Sequence, residues 1–171
     1  MLGCLGCGRL GFETGRHDSG QPIDAVDADS AVDADSAVDA VDVICPPTFL
    51  LKTTGCYRSV GQQRTASVAA AECASSQPGA HLVVIESAAE QAEVRSLGPG
   101  TYWLGLVDVG SGLVWVTGGF PTYTDWQAGD PMGNACARVL ATADDWDDEE
   151  CYMPQMYVCE LDGRAAVVSP P

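Results

Sequence analysis

The sequence predicts an α+β domain. Two helical segments come first and a run of short strands follows. Six of the eight cysteines, at positions 45, 56, 73, 136, 151 and 159, fall in that span and bracket two tryptophan motifs, Trp103-Leu104-Gly105-Leu106 and Trp146-Asp147-Asp148. So many cysteines in 171 residues suit an exported chain whose thiols pair. The length allows one ordinary domain with a remainder.

The remainder is N-terminal. In residues 1–7, Leu2-Gly3 precedes Cys4 and Leu5-Gly6 precedes Cys7, and both resemble the end of a bacterial lipoprotein signal. The apolar segment that should come before is missing; one explanation is a start placed too late, with the true signal upstream. Cys4 or Cys7 is then a candidate lipid anchor; the alternative is that they pair or stay free. A lone Cys-x-x-Cys has no second pair to complete a metal site. In residues 8–43, Ala25-Val-Asp-Ala-Asp-Ser30 recurs as Ala31-Val-Asp-Ala-Asp-Ser36 and then degrades. That repeat is too short for a solenoid, holds no aromatic residue, and offers too little apolar surface to offset the entropy of ordering. It reads as an extended, disordered acidic tether.

The domain is expected over 44–162. Phe49-Leu-Leu51 and Cys56-Tyr57 flank Thr53-Thr54-Gly55, a hairpin signal. Thr65 is placed to cap a helix over 66–75, which ends near Pro78-Gly79. His81-Leu-Val-Val-Ile85 reads as a buried strand. Ser87-Ala-Ala-Glu90 is a capping box: the serine takes the amide three residues on and the glutamate reaches back to the serine amide. A second helix is therefore expected over 88–97, stopping at Gly98-Pro99. Strands are predicted over 102–107, 113–116, 136–140 and 156–161, the last with Tyr157, Cys159 and Leu161 on one face. Between them, 117–135 is rich in turn residues, and a loop that long is functional or disordered. Residues 163–171 read as a frayed, disordered tail. With a core this small, each native disulfide is worth about 2–5 kcal/mol.

Charge narrows the partners. A formal net charge of −16 repels nucleic acid and anionic membrane surfaces and attracts divalent cations or basic partners, although most of the acids serve solubility. No stretch is long and apolar enough to span a bilayer. An enzyme is not expected. His17 lies in the tether, His81 enters a strand, and no nucleophile elbow, phosphate loop or histidine-rich metal motif is present. Paired carboxylates in the acidic cluster could imitate a glycosidase, but nothing places an acid of raised pKa opposite them.

Taken as a set, the motifs resemble those of the long-form C-type lectin-like domain, over residues 45–161. Trp103-Leu104-Gly105-Leu106 is similar to the family's Trp-Ile-Gly-Leu. Trp146-Asp147-Asp148 stands where the family carries Trp-Asn-Asp, Gly129-Asp130-Pro131-Met132 where many members carry Glu-Pro-Asn or Gln-Pro-Asp, and Cys159-Glu160 in the closing strand. Sequence alone leaves the cysteine pairing open. The resemblance implies Cys45–Cys56, Cys73–Cys159 and Cys136–Cys151, in a fold of two helices, small antiparallel sheets and a long loop. Trp103, Leu104, Leu106, Trp115 and Trp126 are expected in the core.

The resemblance also implies a function. Sugar-binding members hold a calcium ion in the long loop, and two sugar hydroxyls complete its shell. Carried over, the ligands are Asp130, Asn134, Asp147 and Asp148, with Asp130, Asn134 and Asp147 also facing the carbohydrate and Pro131 after a cis bond. Carboxylates and carbonyls suit calcium's demand for about 6–8 oxygens. Asp147 and Asp148 would point to opposite faces of an ideal strand, so both reach one ion only if the strand distorts or Asp148 offers its backbone carbonyl. Met132 departs from the pattern, because a thioether is a poor partner for a hard cation. Any calcium affinity is therefore expected in the weak range of about 10⁻⁴–10⁻³ M. Six carboxylates in the seven residues 144–150 repel one another, which a cation would relieve and salt would screen. The expected function is an extracytoplasmic carbohydrate- or glycoconjugate-binding module, secreted or anchored to the cell envelope. The alternative is a calcium-independent domain of the same fold that binds a protein or other ligand.

Overall fold

The computed structural model describes residues 44–171. Cys4, Cys7 and the acidic tether lie outside the described residues. The chain forms β1 (Leu50–Leu51), β2 (Cys56–Arg64), α1 (Ala66–Ser76), β3 (His81–Leu82), α2 (Ala88–Arg95), β4 (Tyr102–Asp108), β5 (Leu113–Trp115), β6 (Cys136–Val139), β7 (Trp146–Glu149) and β8 (Gln155–Leu161). The sheet runs β1-β2-β8-β4-β6-β7, with β3 on β8 and β5 on β4. The closing strand is thus central: it pairs antiparallel with β2 and parallel with β4.

Local chemistry explains the first half of the fold. The Lys52 amide donates to the Gly55 carbonyl and Leu51 pairs with Cys56, closing the hairpin. Thr65 caps α1 by accepting the Val68 amide, and Ser87 caps α2 by accepting the Glu90 amide. Glu90 departs from the expected box. One of its carboxylate oxygens accepts the Glu86 amide, one residue earlier than predicted, and the other accepts the Tyr57 hydroxyl.

The strand expected over 81–85 is shorter than predicted. After Leu82 the chain crosses between β8 and β4: the Val83 amide goes to Val158 O, its carbonyl takes the Gly105 amide, and the Val84 amide goes to the Glu160 carboxylate. The crossing explains Gly105, where a Cβ would stand 2.6 Å from the Leu82 carbonyl oxygen and 2.8 Å from Val116 Cγ2. All three implied disulfides are formed, Cys45–Cys56, Cys73–Cys159 and Cys136–Cys151, the second tying α1 to β8.

The core holds Trp103, Leu104, Leu106 and Trp115 as expected, with Trp146, Tyr57, Tyr102 and Tyr157. Trp126 is half-buried and packs edge-on against Trp146, with ring centroids 5.6 Å apart. In β8, Val158 and Glu160 are as buried as Tyr157 and Cys159, because a central strand is covered on both faces. The C-terminal residues are not a frayed tail. The Val167 and Val168 amides both donate to Val116 O, Val168 packs against the core and Pro170 is buried. A short apolar run there has a carbonyl and a core to dock on. Among the described residues no helix is long and apolar enough to cross a membrane.

Candidate functional site at the sheet edge

β7 is the last strand of the sheet, and the long loop lies along its free edge. Trp146 donates its amide to Asp125 O and accepts the Gln127 amide, and Trp126 bridges Trp146 in parallel. Gln91 on α2 locks this entry. It is buried, its Oε1 accepts the Trp146 indole N–H at 2.7 Å, and its Nε2 donates to Asp125 at 2.7 Å and to the Asp144 carbonyl at 2.8 Å. The loop is therefore an ordered wall carried by one helix and one strand.

Against that wall the structure brings the four predicted residues together. Carboxylate oxygens of Asp130, Asp147 and Asp148 lie within 4.8 Å of one another. The Asp148 carboxylate accepts the Met132 amide at 2.7 Å and also the Asn134 amide, while Asn134 Nδ2 donates to the Asp148 backbone carbonyl at 3.1 Å. Asp147 and Asp148 converge without the distortion expected of the strand. β6 and β7 pair in unbroken register from Cys136↔Glu149 to Val139↔Trp146, and the loop meets the other edge of β7 at the Trp126–Trp146 bridge and at the Asp148 carbonyl. The Asp130–Pro131 peptide bond is cis, and the Met132 side chain is exposed and brings no oxygen.

Two members of the site have no motif to announce them. Arg138 on β6 stands opposite Asp147. Its Nε and Nη2 donate to Asp147 Oδ2 at 2.8 and 2.6 Å, and its Nη1 donates to Glu149 at 2.6 Å. Gln127 Nε2 donates to Asp130 at 2.6 Å and to the other Asp147 oxygen at 3.0 Å. The basic residue in Cys136-Ala-Arg-Val139 was a visible signal, but its partner depends on a register that only the fold supplies. Elsewhere in the acidic run, Asp144 pairs with Arg95 at 2.7 Å.

A second polar cluster lies where β3 meets β8. His81 Nε2 is 3.1 Å from Asp162 and its Nδ1 is 2.9 Å from Leu82 O. Glu160 is fully buried, and burial pushes its carboxyl up to about 8 against the pull of the Val84 amide and His81. For His81, burial acts downward but the Asp162 hydrogen bond and the Leu82 carbonyl carry it above its ordinary value. Tyr57 donates to Glu90 at 2.7 Å and lies 3.2 Å from Glu160, so this network joins β2, α2 and β8.

The sequence model of the Lectin C-type domain family matches residues 62–161. The chain belongs to this family. Asialoglycoprotein receptor 1 of Rattus norvegicus is 35% identical over 99 residues, which is 50% of this chain and 34% of the receptor. The match thus spans about a third of that receptor's length. Among solved structures, the human scavenger receptor C-type lectin carbohydrate-recognition domain is 28% identical with a TM-score of 0.63, covering 70% of this chain and 99% of that one. A calcium-independent type II antifreeze protein is 27% identical with a TM-score of 0.64, covering 72% and 96%. The C-type lectin fold is therefore common to relatives described as carbohydrate-recognising and to one described as calcium-independent.

Proposed function

We propose that the domain is an extracytoplasmic carbohydrate-binding module that uses a calcium ion weakly held at the β7 edge. One observation carries this: carboxylates from the long loop and from β7 meet within 4.8 Å. The donors are hard oxygens, with no sulfur or imidazole among them, which suits calcium. Asp130, Asp147 and Asp148 would hold the ion, with Asn134 offering its side-chain carbonyl. Bound there, calcium supplies a centre of positive charge with positions open to sugar hydroxyls. The chain's own residues shape the surroundings. Gln91 fixes the loop, Asp148 pins the 132–134 turn through two amides, and Met132 leaves one side of the site without a polar group. Paired disulfides accord with an oxidising compartment outside the cytoplasm.

The test is a calorimetric calcium titration of the full chain, followed by glycan-array binding with calcium and with chelator. Asp130 is half-exposed, and Gln127 is its side-chain donor, so Asp130→Ala should remove calcium binding while leaving the fold intact. Calcium heats unchanged in that variant would place the ion elsewhere.

A second reading rests on a specific observation. Gln127 and Arg138 already engage both oxygens of Asp147, so the loop can hold its shape without metal. On this reading the domain binds a protein or other ligand independently of calcium. Binding that persists in chelator selects it.

A further inference from the structure

The acidic edge contains a cation of its own. Arg138 projects from β6 between Asp147 and Glu149, which share a face of β7 two residues apart. Its guanidinium forks to both, with two N–H groups on one Asp147 oxygen and a third on Glu149. Such a fork is rigid and permanently charged. Asp147 is only 8% exposed, so without a cation partner it would be an uncompensated buried charge, an expensive state. Asp130, Asp147, Asp148 and Glu149 bring four negative charges to this edge, and Arg138 returns one.

We propose that Arg138 is a tethered counter-ion that sets the divalent-cation affinity of this edge. The inference rests on the calcium reading above and deepens it. While the guanidinium holds Asp147, two N–H groups fill Oδ2 and the Gln127 amide takes one of the two acceptor positions of Oδ1, so an arriving ion meets a nearly saturated carboxylate with a fixed positive charge beside it and gains Oδ2 only by displacing the guanidinium. The same pairing keeps the β6–β7 edge folded in the absence of metal. Arg138 therefore weakens calcium binding and makes the fold less dependent on calcium. It acts on the site through Asp147 and is a positioning residue.

The experiment compares calcium titrations of the wild-type chain and Arg138→Gln, with melting temperatures recorded in calcium and in chelator. Arg138→Gln should bind calcium about tenfold more tightly or better, and calcium should raise its melting temperature more than that of the wild type. If Arg138→Gln folds only when calcium is present, that also supports the proposal. A measurement on the wild type needs no variant: the Arg138 Nε–H resonance should shift as calcium saturates the site. An unmoved resonance at saturation, or equal calcium affinities in the two proteins, overturns the role of Arg138 and leaves the calcium reading standing. Binding by Arg138→Gln but not by the wild type overturns the calcium reading for the natural chain and supports the role of Arg138. Calcium heat from neither protein overturns both.

Discussion

Asp148→Ala removes, in one substitution, the acceptor of two backbone amides. In the wild type the carboxylate is 3% exposed and takes the amides of Met132 and Asn134. A hydrogen bond to a charged group contributes about 1.5–3 kcal/mol, so the two together set an upper bound of about 3–6 kcal/mol. Two effects reduce it. Met132 is exposed and Asn134 is half-buried, so water can reach the freed amides. Loss of the charge also relieves repulsion on Asp130 and Asp147. A destabilisation of about 2–3 kcal/mol is therefore expected. Asp148→Asn keeps one acceptor oxygen and should cost less than Asp148→Ala. Equilibrium urea unfolding in chelator measures the cost. Hydrogen exchange locates it, because the Met132 and Asn134 amides should lose protection before the Gly105 amide, which is held by Val83 O inside the sheet. An alanine variant within about 0.5 kcal/mol of wild type, with both loop amides still protected, would refute the view that Asp148 pins the turn.

Three further outcomes follow from the fold. Gly105→Ala forces a methyl group against the Leu82 carbonyl at 2.6 Å, and thermal unfolding should show a loss at the upper end of the about 1–3 kcal/mol typical of overpacking. Cys73–Cys159 spans 86 residues and Cys45–Cys56 spans 11. On the chain-entropy account, replacing the first pair by alanines should cost about 4.6 kcal/mol and the second about 2.8 kcal/mol, so a larger loss from the shorter bridge in denaturant titrations would count against that account. Stability should also fall as pH rises. Glu160 is raised by burial from its ordinary 4.5 to about 8, so above about pH 4.5 the unfolded chain releases a proton that the native state keeps, and the advantage is gone once pH passes 8. His81, also raised, pushes in the same direction. Asp162 acts oppositely: although burial would raise it, hydrogen bonds from His81 and Arg164 hold it well below the usual range, so its contribution is lost only as pH falls below the ordinary carboxylate range. Glu160→Gln should flatten the decline between pH 5 and 8, and an unaltered pH profile would mean that Glu160 is ionised in the native protein.

The parts of this domain legible in sequence were those governed by local chemistry or by the motif set. Thr65 and Ser87 cap α1 and α2 where a hydroxyl before a helical run predicts, and Trp103-Leu104-Gly105-Leu106 is a buried strand. What escaped is what only tertiary partners decide. β7 is spelled Trp-Asp-Asp-Glu, a poor strand former by composition, and it is a strand because β6 and the long loop supply its partners. The alternation in β8 picks out only the face of Tyr157, Cys159 and Leu161, yet β8 has neighbours on both edges and cover on both faces, and Glu160 on the other face is buried too. The clearest case is electrostatic. From sequence, the six acids between 144 and 150 are a source of repulsion awaiting an external cation or salt. In the fold that repulsion is answered internally and unevenly: Arg95 takes Asp144, Arg138 takes Asp147 and Glu149, two backbone amides take Asp148, Asp145 is half-buried and Glu150 faces solvent. A chain with 8 basic residues against 24 acidic ones sets one of the former beside β7 and another on the turn that leads into it. Such placement holds the edge in shape before any ligand arrives, and it leaves Asp130, with one hydrogen-bond donor and partial exposure, as the carboxylate an incoming cation meets first.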